Sequence, residues 1–379
     1  MDKIIEKIRE LSRNEFTEYI YDITCFGEPV ALGGQKNIEV GINRALKLNE
    51  YPMFLEGLSE RLTALGKPCK ASDTDIILTE VKRRYKDILG KNCPRTVIEW
   101  MRGKVPGITN RRNNYELCYA LEMDYNETAE FFQKSFLTIP FNAKNRTDAV
   151  FLYCLYHKKT YAAADKMLVL SDDFVPQEQA HTATSQIISV IMKTDDDEKF
   201  LEYLSAHCYN NEQQFQLARN IINSEINIIK ENILKSNTRC NLTPNRLNSK
   251  TIEELFNFSS QSNTDSFDPH ILPKRFTESL PNDVTLGQVI NGKNVSYELL
   301  RKTLMLLRFN NFYREAENTD RNIICCNLLD FYDELNSTLI SCGFAQIYVC
   351  HPFDCLLLYC ANSYEPIVTL HNVIEYGRN

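Results

Sequence analysis

Over residues 2–23 the apolar positions fall at Ile4, Ile5, Ile8, Leu11, Phe16, Tyr19 and Ile20. Steps of three and four place them on one face of an α-helix. The same stripe recurs around 75–89, 109–121, 125–136, 147–157, 177–193, 211–235 and 296–313, and predicts a helix at each. The β-favouring stretches Ile347-Tyr-Val and Ile367-Val lack flanking hairpin turns, so they read as loop edges or helix ends. Glycine and proline number 13 each, too few for a chain rich in strands and tight turns. The predicted class is all-α.

The pattern breaks between Ser236 and His270, where serine, asparagine and threonine replace the apolar stripe. Low hydrophobicity of this kind cannot offset ordering entropy, so a mobile surface linker is expected there. The helical segments on either side share parts in the same order. Asp148-Ala-Val-Phe-Leu-Tyr-Cys154 matches Asp354-Cys-Leu-Leu-Leu-Tyr-Cys360, and a Pro-Phe pair (Pro140-Phe141, Pro352-Phe353) accompanies each. Upstream, Thr96-Val-Ile-Glu-Trp-Met-Arg-Gly-Lys104 is echoed by Thr285-Leu-Gly-Gln-Val-Ile-Asn-Gly-Lys293. Two matched elements in one order point to an internal duplication. The expected division is an N-terminal helical region at 1–70, a domain at 71–140, a helical region at 141–240, a linker at 241–270 and a C-terminal domain at 271–379.

Composition changes this picture little. With 379 residues, 43% of them apolar and 25% charged, the chain is long enough for two or three globular domains. No apolar run approaches the roughly 18 residues a membrane helix needs, and the charged start resembles no signal peptide. A cytoplasmic protein without membrane contact is expected. The cysteine count, 13, is odd, and no Cys-x-x-Cys pair occurs. The densest group is Cys342, Cys350, His351, Cys355 and Cys360, with Cys325 and Cys326 upstream. Its intervening residues (Leu356, Leu357, Leu358, Tyr359) suit a core better than a zinc site, so reduced packing thiols and no metal are expected.

Charge changes the picture more. Between Lys82 and Arg112 lie ten basic residues and two acidic ones, a net +8, whereas the whole chain carries −7 and the remainder therefore −15. A cationic segment inside an anionic protein is the footprint expected of a polyanion-binding face. The helical pattern through it is helix, turn, short helix, turn, helix. Gly90 ends the first helix, and Pro94 suits the first turn of the second. That second helix stops at Gly103. Val97 and Trp100 face inward together, whereas Arg95 and Glu99 share the outward face. A short helix with one face pinned and basic residues at its ends meets the requirement for major-groove insertion.

Pro94-Arg-Thr-Val-Ile-Glu-Trp-Met-Arg-Gly-Lys104, followed by Asn114-Tyr-Glu-Leu-Cys-Tyr-Ala-Leu-Glu-Met-Asp-Tyr-Asn-Glu-Thr-Ala-Glu-Phe-Phe132, resembles the Cro/lambda-repressor-like (xenobiotic-response-element) helix-turn-helix family. The resemblance covers about residues 75–136. It implies base reading by Arg95 and Glu99 and phosphate contact by Lys91, Arg102, Lys104, Arg111 and Arg112. Pro94 departs from the family, many of whose members have a polar base-contacting side chain there. A weaker second copy spans 282–312. There Val284 stands in the place of Arg95 and Gly287 in that of Ile98, which leaves Gln288 and Lys293 as its candidate DNA contacts.

Motifs for catalysis are missing: no Gly-x-x-x-x-Gly-Lys-Ser/Thr, Gly-x-Gly-x-x-Gly, His-Glu-x-x-His or Gly-x-Ser-x-Gly occurs. Gly33-Gly34 reads as a turn, Asp195-Asp-Asp-Glu198 as a solvated loop start, and His157 has no evident partner. The sequence thus predicts a non-enzymatic, cofactor-free, bacterial-type transcription regulator that binds double-stranded DNA. It would act as a homodimer and answer to an unknown protein or small-molecule effector. The alternative is a helical adaptor of a mobile-element or defence system that binds proteins and no DNA.

Overall fold

A computed structural model describes residues 54–103, 106, 111–136, 138–172, 174, 184–236, 280–293, 295–316, 324–348, 351–363 and 365–371. The expected first helix at 2–23, Gly33-Gly34, Lys104 and the expected linker at 241–270 lie outside these residues. Among the described residues the chain is all-helical, as its periodicity predicts, with a single isolated β-bridge between Asn145 and Tyr209. No helix among them is long and apolar enough to cross a membrane.

The helices are α1 (Phe54–Ala64), α2 (Thr74–Leu89), α3 (Arg95–Met101), α4 (Arg111–Ala120), α5 (Tyr125–Lys134), α6 (Arg146–Tyr156) and α7 (Tyr161–Ser171). They continue as α8 (Thr184–Lys193), α9 (Asp197–His207), α10 (Asn211–Ser236), α11 (Asp283–Ile290), α12 (Tyr297–Ala316), α13 (Ile324–Ser341) and α14 (Pro352–Ala361). Two compact units divide the described chain. The first runs from α1 to Gln214 and includes Gly343–Gln346, and the second takes Phe215–Cys342 and the residues from Ile347 onward.

In the first unit local chemistry sets the helix ends. Gly90 ends α2 in the left-handed conformation (φ 68°), which costs a residue without Cβ little. Asp124 and Glu127 form a reciprocal capping box that starts α5. Asp196 accepts from the Lys199 N–H and starts α9, so the acidic run 195–198, expected to be a loop, is a helix N-terminus. The core continues without a break from Phe54 through Tyr85, Tyr115, Phe132 and Phe141 to Phe151 and Phe200. Tyr115 stacks on Phe151 with ring centroids 4.7 Å apart, and Tyr153 on Phe200 at 3.9 Å. The boundary expected near residue 140 is therefore bridged by one shared core, which α1 also joins.

In the second unit α12 is the central helix. Leu300, Leu304, Leu307 and Phe309 are buried, and so are the charged Arg301 and Lys302. Phe309 and Phe331 of α13 meet edge to face at 5.3 Å. Cys342, Cys355 and Cys360 are buried, the core position expected of them. Burial pushes the Cys342 thiol up to about 12, so it stays protonated at neutral pH.

Candidate nucleic-acid interface

Helix α3 is seven residues long and gets its position from one face. Val97, Trp100 and Met101 are buried. The Trp100 ring lies 6.0 Å from Phe54 and 5.9 Å from Phe136, in edge-on arrangements that fix the helix rotation. The turn from α2 passes through Gly90 and Pro94, and Gly103 (φ 98°) closes the far end. This is the inward face the sequence predicts.

The outward face carries Arg95, Thr96, Glu99 and Arg102. Arg95 is 92% exposed, and its Nε donates to Glu99 Oε1 at 3.1 Å, an i,i+4 pair along the helix. Thr96 and Arg102 are exposed as well. Arg95, Glu99 and Arg102 follow one another at helical steps of four and three, so they form a single ridge. Lys82 and Lys86 of α2 are also exposed and make no ion pair with any described residue.

The other described cations of the basic stretch are spent on the protein itself. Arg83 pairs with Glu80 and Asp87, and Arg84 with Glu80 and, at 2.7 Å, with Glu122. Lys91 lies 2.5 Å from Glu116 and 3.0 Å from the Tyr161 hydroxyl. Burial alone would lower the Lys91 pKa, but those two partners outweigh it and raise it. Arg112 holds Glu116 at 2.9 Å and also pairs with Asp165. Two of the predicted phosphate ligands, Lys91 and Arg112, are thus half-buried parts of a network that ties α2, α4 and α7 together.

Arg111 is a correction. Only 7% of its side chain is exposed, its guanidinium meets Asp148 at 2.5–2.8 Å, and Nη2 donates to the Ile139 carbonyl. A phosphate cannot reach it without leaving the fully buried Asp148 carboxylate unpaired. Its role is to hold α4 to the start of α6.

The same construction appears in the second unit, where Arg301 and Asp354 pair through two parallel bonds of 2.8 and 2.7 Å, both side chains almost wholly buried. Each aspartate is the third residue of its helix, α6 or α14. Each also accepts the backbone N–H six residues upstream, Asn142 onto Asp148 at 2.7 Å and Tyr348 onto Asp354 at 2.9 Å. The sequence match around Asp148 and Asp354 therefore has a structural counterpart. The two Pro-Phe pairs do not: Pro140 precedes α6 by a loop, whereas Pro352 is the first residue of α14.

Of the second copy's candidate contacts, Gln288 is half-buried on α11 and Lys293 is exposed just past its end, its carbonyl accepting from Arg219 at 2.8 Å. Val284, in the place of Arg95, is 67% exposed. This helix starts on a side-chain cap from Asn282 and presents an apolar residue where α3 presents a cation. His157 is half-buried, and its Nε2 lies 3.3 Å from the Ile191 carbonyl. Against known proteins, no family model, curated sequence or solved structure matches this chain.

Proposed function

We propose that the chain binds double-stranded DNA through α3 and acts as a bacterial-type transcription regulator. The observation that carries this reading is the exposed ridge of Arg95, Thr96 and Arg102, with the half-buried Glu99 between them, on a short helix whose opposite face is locked by Trp100. Such a helix enters the major groove as a rigid body, with little side-chain ordering of its inner face left to complete. Phosphate anchoring falls to Lys82, Lys86 and Arg102 rather than to Arg111. Arg95 reads bases. A homodimer would set two such helices on half-sites about 34 Å apart. The effector it answers to would be a protein or a small molecule.

Four exposed cations imply about three to four neutralised phosphates, and a slope of log affinity on log salt near −3. Fluorescence-anisotropy titration of labelled duplex at several salt concentrations measures it. Binding that vanishes at about 150 mM salt for every sequence in a random pool refutes the reading.

A second reading, a protein-binding helical adaptor, draws on a specific observation. Six of the ten basic residues of the Lys82–Arg112 stretch are paired with the protein's own carboxylates, which removes most of the excess charge. The exposed Val284 on the second copy suits a protein partner better than a phosphate. The adaptor reading predicts no salt-dependent DNA binding, so the same titration separates the two.

A further inference from the structure

The ridge of α3 carries a carboxylate at its centre. Glu99 lies one helical step from both Arg95 and Arg102, on a surface otherwise suited to a polyanion. A face built only to grip phosphates gains nothing from that charge, since like-charge repulsion weakens every backbone contact nearby. The geometry shows what Glu99 does. It accepts from Nε of Arg95 at 3.1 Å and so holds the guanidinium by its inner nitrogen, while 92% of the Arg95 side chain stays in solvent.

A guanidinium fixed at Nε keeps its outer edge, the two terminal nitrogens, as a planar fork of donors. In the major groove guanine alone offers two acceptors, O6 and N7, at the spacing that fork requires. Adenine and cytosine place an amino donor there, and thymine offers one acceptor beside a methyl group. Building on the DNA-binding function proposed above, we propose that Arg95 specifies a guanine, with Glu99 as the residue that positions it.

The two side chains make opposite predictions from those of a simple cationic ridge. Glu99→Gln removes a negative charge beside DNA. A ridge that only grips phosphates then binds all sequences more tightly, with base preference unchanged. A positioned Arg95 instead loses preference. Arg95→Lys keeps the charge but has no fork, so it separates charge from readout in the same way.

The test is selection of bound duplexes from a random pool by the wild-type protein, followed by titration of the enriched duplex and its single-base variants. The expected result is one guanine whose replacement by adenine, or by 7-deazaguanine, weakens wild-type binding by roughly five- to a hundred-fold. For Arg95→Lys the same replacement should matter less than about twofold, and Glu99→Gln should fall between, with both variants melting at the wild-type temperature. Binding without an enriched guanine overturns the inference and leaves DNA binding standing, as does a guanine preference that survives Arg95→Lys. Absence of any binding from the pool removes both.

Discussion

Replacing Asp354 with asparagine isolates one buried charge. The carboxylate is fully buried and receives two bonds from Arg301, the Tyr348 N–H at 2.9 Å and a contact from His351 Nδ1 at 3.2 Å. Asparagine nearly preserves the shape but removes the carboxylate that Arg301, 2% exposed, holds through two bonds. Breaking a buried pair from one side costs about 3–5 kcal/mol, because the remaining ion has been taken out of water and is no longer compensated. For a unit of this size that lowers the melting temperature by roughly 10 °C. Urea unfolding followed by far-UV circular dichroism gives the free energy, and hydrogen exchange of the α12 and α14 amides locates the loss. The double variant Arg301→Met/Asp354→Leu should recover most of the difference, less about 1–3 kcal/mol for the Tyr348 N–H left without an acceptor. A loss below about 1 kcal/mol for Asp354→Asn would falsify the buried-pair account.

The same pair sets an acid limit. Burial by itself would raise the Asp354 pKa, but Arg301 and then His351 outweigh it and hold the carboxyl well below its usual range. A depressed folded pKa contributes stability above the unfolded value of about 3.9, and that contribution fades as pH falls through the folded one. Unfolding titrations should show the second unit losing stability below about pH 4, and Asp354→Asn should flatten that dependence. Arg111→Ala should destabilise the first unit by about 3–5 kcal/mol through the orphaned Asp148, while the DNA salt slope of the folded fraction stays unchanged. A slope that drops by one unit would restore Arg111 to the phosphate contacts. Trp100→Ala removes the side chain that seats α3 against Phe54 and Phe136 and should cost about 3–5 kcal/mol in thermal melts. Since the chain has a single tryptophan, wild-type emission should shift to the red when the first unit unfolds.

Much of the helical content was legible because it is written in local spacing. The stripes at 75–89, 125–136 and 211–235 recur as α2, α5 and α10 to within a turn. Helix α7 was not, because Tyr161–Ser171 is apolar on most sides and has no clear polar face to reveal its period. Its buried residues, Tyr161, Ala164, Met167 and Leu168, acquire a distinct inner face only when the helix packs against α6 and α9. Acidic residues 195–198 misled for a related reason: a charged cluster reads as a loop until its role in starting a helix is visible.

The candidate interface divides along the same line. The inward set of Val97 and Trp100 and the outward set of Arg95 and Glu99 follow from a period of 3.6, which neighbouring residues alone impose. The charge of the basic stretch does not follow from its neighbours. Arg84, Arg111 and Arg112 find carboxylates 38, 37 and 53 residues further along the chain. A count over a window of sequence registers every cation and none of those partners, so it overstates the positive face. Spacing within a helix acts through bonds a few residues long and can be read directly. Neutralisation acts through space, and which cations remain for a ligand was decided only when α4, α6 and α7 packed together.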